Sequence, residues 1–337
     1  MSTEKKPENF GLCIHKQTGI RHEKRGKPCE DFVSSARSAE NGVAAVSLSD
    51  GAGSCEHAFY GASIAAQEAS RLLASDFETL WHMSNDEAAE YLIREICSPI
   101  TRTAEAQGWS STSMYATVLC TAKHPDERFI AFHVGDGVIT AYSPETGCEV
   151  LSQYEHKIAG NVTSFVNEPS PEYKIIKDNK PYASFFMTSD GAEPYLVPSG
   201  QVTAPVLLLQ QAAFVLSGKS TMHYMSLLMN SICTECYGDD DLSFALLSDF
   251  RKSAGVFKDM TDRQFCALMN IDTLPGQTKA FCLKVIEMLH RYPEGMSADA
   301  LSRILYTHKK SRLMKKLARI FPADDFIDYG SDTVFLK

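Results

Sequence analysis

Three apolar runs in this chain end in an aspartate followed by glycine. Asp50 and Gly51 lie in SLSDGAGS after the run Val43 to Val46, Asp136 and Gly137 in FHVGDG, and Asp190 and Gly191 in FFMTSDGAE. A single Asp-Gly pair is what a hairpin turn needs, because Gly accepts positive φ and Asp hydrogen-bonds its own backbone. Two more acidic groups sit at the edges of strand-like runs: Glu30 with Asp31 in GKPCEDF, and Asp239, Asp240 and Asp241 in YGDDDLSF. The plain reading of the last run is a solvated turn. The reading with chemistry is that several strand ends deliver carboxylates to one place, where a small Gly leaves room for a hard cation. Consecutive carboxylates repel one another and need solvent or a cation. Acidic oxygens without an accompanying His or Cys cluster favour Mg²⁺ or Mn²⁺ over zinc. Two such ions suit phosphoryl transfer to water, where they activate the nucleophile and neutralise phosphate charge.

The elements that would position these carboxylates are short. Strand-like runs occur at Phe10 to His15, Val43 to Leu48, Ala116 to Cys120, Phe129 to Val134, Val138 to Tyr142, Ala183 to Thr188 and Leu242 to Leu247, each bounded by turn residues. Helices are expected over Glu56 to Leu73, from a capping box at Ser84 and Glu87 onward, over Pro205 to Leu216 and over Ser220 to Tyr237. Pro99 is expected to kink or end the second of these. The order of strands, two helices, strands, two helices, strand is not a β-α-β alternation, and it points to antiparallel sheets flanked by helices in an α+β fold.

Length and composition fit a globular protein of one large domain plus a small one, or of two medium domains; the change of texture divides it here as 1–252 and 253–337. The net charge of −9 argues against wholesale nucleic-acid binding. The polar start MSTEKKPENF does not read as a secretory leader, and no apolar run approaches a membrane span. The ten cysteines are scattered, which fits a reducing, cytoplasmic setting. Cys233 and Cys236 form a C-x-x-C pair without a partner pair, so they read as helix cysteines rather than as a zinc site.

The order E-D-F, S-D-G-A-G-S, Y-A-T-V-L, H-V-G-D-G, T-S-D-G, D-D-D-L-S over roughly residues 10–250 resembles the metal-dependent protein serine/threonine phosphatases of the 2C type. Each motif alone is weak, and the ordered set is specific. The resemblance implies a sandwich of two antiparallel sheets with helices outside, a four-layer αββα arrangement. It also implies a centre of two Mg²⁺ or Mn²⁺ ions, with a third, weaker one in many bacterial members. Asp50 would bridge both metals, with the carbonyl of Gly51 holding one of them. Glu30 would support the second metal through its waters, and Asp190 and Asp240 would complete the first. Asp136 and Asp239 match the third site, and Asp31 would orient a water on a metal. The reaction implied is direct hydrolysis of phosphoserine or phosphothreonine in a protein substrate, the enzyme being paired with a serine/threonine kinase. No cysteine nucleophile is required, and no C-x₅-R signature is present.

The chain departs from the family pattern in four places. Gly26 stands where the family carries a phosphate-holding Arg, leaving Arg25, Lys27 or Arg21 to reach the phosphate. The loop after Asp50 reads AGSCEH, in which His57 is a candidate general acid whose plainer role is structural. V-G-D-G-V lacks the usual Ser-Arg, and Asp241 stands where Asn is common. These departures keep a second function in play, a phosphatase-like sensor or binding module without strong catalysis.

Residues 253–337 have a different texture. Thr261 with Gln264 reads as a capping box, and Phe281, Val285, Met288 and Leu289 make a helical stripe, as do Leu313, Leu317 and Ile320. Ser297 can cap a short helix carrying Leu301, Ile304 and Leu305, and DFIDYGSDTVFLK reads as a hairpin turning at Gly330 to Asp332. Helices followed by a hairpin resemble a winged-helix unit. The stretch Arg303 to Arg319 carries seven Lys or Arg and no acid, and since some winged helices bind nucleic acid, this basic face would fit such a role. Its plainer reading is a solvated helix face beside the phosphatase domain.

Overall fold

A computed structural model describes residues 9–154, 163–214, 218–235 and 239–257, and beyond them 260, 261, 263, 265, 278–292, 294–305, 310–320, 327–329 and 333–336. Ten strands build two antiparallel sheets of five. The first is ordered β1 (Phe10–Gln17), β10 (Leu242–Asp249), β9 (Ser184–Thr188), β6 (Val138–Ser143), β7 (Gly147–Gln153). The second is ordered β2 (Phe32–Arg37), β3 (Ala44–Ser49), β4 (Val118–Lys123), β5 (Phe129–Val134), β8 (Tyr173–Asp178).

Period-two alternation explains how the sheets pack. In β3, Ala44, Val46 and Leu48 face one layer, which they share with Phe129 and Ala131 of β5, Phe185 and Met187 of β9, and Ala245 and Leu247 of β10. That layer is the core between the sheets. The opposite faces of β4 and β5 pack with two long helices, α2 (Ala58–Ser75) and α3 (Asn85–Gln107). The outer faces of β6, β9 and β10 pack with α4 (Ala204–Ala212) and α5 (Gly218–Glu235). The result is the four-layer αββα sandwich expected above. Central strands are covered on both faces, so they read as continuous apolar runs.

All seven expected strands are present. β4 starts at Val118 rather than Ala116, because Ala116 makes an isolated bridge to Gly51. Three strands were not anticipated, β2, β7 and β8, and all three are sheet edges whose residues are mostly only part-buried. FVSSAR, GCEVLSQ and YKIIKD mix polar with apolar residues because one side of each faces water.

Ser84 caps α3 as expected, its hydroxyl accepting from Glu87 N at 3.2 Å while the Glu87 carboxylate accepts from Ser84 N at 2.8 Å. Pro99 does not end this helix, which runs on to Gln107. Proline removes one helical hydrogen bond, but Leu92, Ile96, Ile100 and Ala104 on either side are buried against the sheet, and that burial holds the helix together. The helix expected to reach Leu216 is already complete at Ala212, and the one expected over Ser220 to Tyr237 spans Gly218–Glu235. Cys233 is buried, and Cys236 lies outside the described residues. No described helix is long and apolar enough to cross a membrane.

Beyond residue 257 come α6 (Thr278–Arg291), β11 (Met296–Ser297), α7 (Ala298–Ile304), α8 (Lys310–Ile320), β12 (Ile327–Tyr329) and β13 (Thr333–Leu336). The strands form a small sheet ordered β11-β13-β12. Ser297 caps α7, accepting from Ala300 N at 3.2 Å. Gln264 and the expected turn residues 330–332 lie outside the described residues, as does the side chain of Ile320. The buried residues of this unit, among them Val285, Leu289, Leu301 and Leu317, are continuous with Tyr142, Ala183 and Phe250 of the sandwich.

Two substitutions test the packing of α3. Ser84→Ala should destabilise the protein by about 1 kcal/mol through loss of the cap. Ile96→Ala should cost roughly 2–5 kcal/mol, because it deletes buried methylenes and leaves a cavity. Denaturant midpoints at constant slope would check both values.

Candidate metal centre

Antiparallel pairing collects the acidic residues at one end of the sandwich. Phe32 pairs with Ser49, so Asp31 and Asp50 lie side by side at the start of β2 and the end of β3. Val138 and Phe244 both pair with Thr188, so Asp136, Asp190 and Asp241 cluster about the end of β9. Asp50, Asp136 and Asp190 each offer a carboxylate oxygen, and these oxygens lie within 4.8 Å of one another. They line a cavity of about 440 Å³ with Glu30, Gly51, Asp240, Arg21, His22 and Arg25 among its other walls.

Backbone clamps fix these groups. Asp50 N donates to Thr117 Oγ1 at 2.9 Å and Thr117 N donates to the Asp50 carbonyl at 2.8 Å. Gly51 N donates to the Glu30 carbonyl at 3.2 Å. A Cβ at Gly51 would meet the backbone of Ala58 at 2.8 Å, so only glycine lets the loop pass under α2. Gly135 and Gly137 on either side of Asp136 have φ of 100° and 93°, which the tight β5–β6 turn requires. His133 Nε2 lies 3.2 Å from the Asp136 carbonyl, and burial pushes its pKa down to about 4, so it braces that turn as a neutral ring. Thr163 Oγ1 donates to Asp136 Oδ2 at 2.6 Å.

The three consecutive aspartates have three different environments. Asp240 lines the cavity. Asp239 is exposed and is not among the lining residues; its carbonyl accepts from Arg21 N at 3.1 Å. Asp241 is buried and accepts from Gly19 N at 2.7 Å, Glu30 N at 2.6 Å and His22 Nδ1 at 2.9 Å. The opposite nitrogen of His22 lies 3.5 Å from Glu30 Oε2. His22, Thr117 and Thr163 were not singled out from the sequence, since each carries a common polar side chain in a segment without a motif.

Burial dominates the electrostatics, with charge crowding added to it. Burial, with the nearby Asp136 and Asp240 carboxylates, pushes Asp190 up to about 7. Asp50 is raised well above the usual carboxylate range by burial and by Asp31, Asp190, Asp136 and Asp240. Burial raises Asp31 to about 6, partly offset by the Ser243 hydroxyl. Four buried oxygens, Glu30 Oε2, Asp31 Oδ1 and Oδ2, and Asp190 Oδ1, accept no hydrogen bond of good geometry. An all-oxygen donor set with orphaned carboxylate atoms around a cavity fits hard divalent cations.

The basic residues divide. Arg25 and Arg21, on the short helix α1 (Ile20–Arg25), line the cavity, whereas Lys27 pairs with Glu30 Oε1 at 3.2 Å and does not line it. Gly26 ends that helix in the left-handed conformation at φ 64°, where a bulkier residue would be strained. His57 stacks on Trp109 with ring centroids 3.7 Å apart and is not among the cavity's lining residues. Cys29 is buried and its thiol is pushed far up by burial, so no reactive thiolate stands beside Glu30.

Among curated proteins no sequence match is found. Solved structures similar to this chain include the S. agalactiae serine/threonine phosphatase, at 17% identity over 71% of this chain and 99% of that one, with a TM-score of 0.48. They also include the serine/threonine phosphatase Stp1 from Staphylococcus aureus, at 14% identity over 71% and 94%, with a TM-score of 0.46. A third is a C. elegans sex determining protein, at 13% identity over 74% and 67%, with a TM-score of 0.48. Family membership rests instead on sequence: the model of the family described as Protein phosphatase 2C matches residues 18–222. That match takes in more than half of the 337 residues, and the chain belongs to the protein phosphatase 2C family.

Proposed function

We propose that this protein hydrolyses phosphoserine and phosphothreonine in protein substrates, in a metal-dependent reaction at the carboxylate cluster. The observation that carries the reading is the convergence of Asp50, Asp136 and Asp190 on one cavity, in a chain of this family. In this reading Asp50, the Gly51 carbonyl, Asp190, Asp240 and Glu30 hold two Mg²⁺ or Mn²⁺ ions. Asp136, which meets Asp50 and Asp190 at one point, would join them in holding an ion, and a weaker third ion would fall to Asp136 with the exposed Asp239 outside the cavity lining.

Divalent ions bound there supply charge neutralisation and Lewis acidity for in-line attack of water on phosphorus. The chain's own groups do the remainder. Asp31, buried behind Asp50, keeps that carboxylate oriented and is the acceptor that aligns water at the cluster. Thr117 holds the Asp50 backbone from both sides. Lys27 holds Glu30 Oε1 and leaves Oε2 free to face the cavity, with His22 Nε2 3.5 Å away. Arg25 and Arg21 offer guanidinium groups at the wall for the phosphate, the part the family gives to the residue at position 26. The substrate is a phosphoprotein, set against the action of a serine/threonine kinase.

Turnover of a phosphothreonine peptide with Mn²⁺ tests the reading. Activity should vanish with EDTA and in Asp50→Asn while that variant keeps its circular dichroism spectrum; full activity in Asp50→Asn would refute the assignment. Arg25→Ala should lower kcat/KM about 10- to 100-fold, the worth of a hydrogen bond to a charged group, mainly through KM.

The raised carboxylates also set a sign for stability against pH in metal-free protein. In the unfolded chain Asp titrates near 3.9, whereas folded Asp190 and Asp31 hold protons to about 7 and about 6. The folded state therefore binds more protons, and their contribution to stability falls as pH rises from about 4 through about 7. Asp190→Asn should be more stable than wild type at about pH 8 in EDTA, and the difference should shrink toward pH 5. Thermal midpoints that differ equally at both pH values would contradict this.

A further inference from the structure

The family match ends at residue 222, and the small unit beyond residue 257 carries chemistry which the metal cluster does not use. From residue 278 to residue 320 the sequence has ten Lys or Arg against three Asp or Glu, a local positive excess in a chain of net charge −9. α8 concentrates it. Leu313 and Leu317, one turn apart, are fully buried in the core shared with Val285, Leu289, Leu301 and Val334. Arg312, Lys315 and Lys316 follow the same helical spacing on another face and are exposed. Among the described residues Arg312 and Lys315 make no ion pair. The Lys316 ammonium sits 3.7 Å from the Phe281 ring centroid, a cation–π contact that fixes its stem while the residue stays exposed.

The order of elements tells what such a face can enter. α6, β11, α7 and α8 are followed by β12 and β13, with β11 and β12 both paired to β13. This is the connectivity of a winged helix, in which the second helix of the pair, here α8, is the one that lies in the major groove of DNA. A protein that neutralises phosphates needs unpaired cations in a row on a rigid element, and α8 supplies them on a helix anchored by two buried leucines.

We propose that the C-terminal unit binds duplex DNA, with Arg312, Lys315 and Lys316 of α8 on the phosphate backbone. The binding is largely electrostatic and independent of sequence, because Arg and Lys contacts to phosphate position a protein without reading bases. The proposal does not depend on the phosphatase reading.

Fluorescence anisotropy of a labelled random-sequence DNA duplex, titrated with the full chain, tests it. Affinity should fall about 40-fold between about 50 and about 200 mM NaCl for three phosphate contacts. The variant combining Arg312→Gln, Lys315→Gln and Lys316→Gln should bind at least tenfold more weakly, with the salt slope reduced by about three. It should keep the wild-type thermal midpoint and turn over phosphopeptide at the wild-type rate, so failure here and failure of the phosphatase reading are told apart. Arg312→Lys should retain binding within about twofold, since charge rather than geometry is what the phosphate contact needs. No binding at the lower salt, equal binding by the triple variant, or tighter binding of a polyglutamate peptide or of duplex RNA would each overturn the proposal.

Discussion

The mutual repulsion of carboxylates at one end of the sandwich is the constraint around which the site is built. Asp31 is fully buried, Asp50 and Asp190 are half-buried at the cavity wall, and burial together with like charge raises all three. A protein that only needed a turn at these positions would have no reason to gather them, since each deprotonation works against its neighbours. A divalent cation reverses the sign of that interaction: the arrangement that costs stability when empty becomes the source of affinity when filled.

Holding such a cluster takes backbone and side-chain hydrogen bonds together, and the sandwich supplies both. Asp50 is fixed by paired bonds to Thr117, and Asp136 by a turn between two glycines braced by neutral His133. Asp241 is the corresponding fixture on the other sheet. Three donors converge on it, from Gly19, Glu30 and His22, so an acceptor-only carboxylate suits this position, where the family commonly has Asn. It ties the start of β10 to the segment before β2 and so carries Glu30 to the wall of the cavity. The close passage of Gly19 by the Asp240 carbonyl, 2.2 Å from where a Cβ would stand, belongs to the same joint.

Much of this was legible in the sequence. The central strands and the Asp-Gly ends were readable because strands buried on both faces leave unbroken apolar runs, and because the carboxylates follow those runs directly. The edge strands β2, β7 and β8 were not, since half-solvated strands resemble loops in composition. Pro99 does not end its helix, because tertiary burial of Ile96 and Ile100 outweighs one missing helical bond. His22 and the distinct surroundings of Asp239, Asp240 and Asp241 could not be read from a single chain, because they arise from contacts made some 200 residues apart. The division of the basic residues between phosphate and Glu30 was open for the same reason, as it turns on where a six-residue helix points.

The measurement closest to the central claim is a calorimetric titration of metal-free protein with Mn²⁺ at about pH 8, repeated near pH 6. The account predicts binding of two ions per chain, abolished or halved in Asp50→Asn, with more protons released at the lower pH as the raised carboxyls give up theirs. Absence of binding heat in the wild type at the higher pH, or stoichiometry and affinity unchanged by Asp50→Asn, would contradict it.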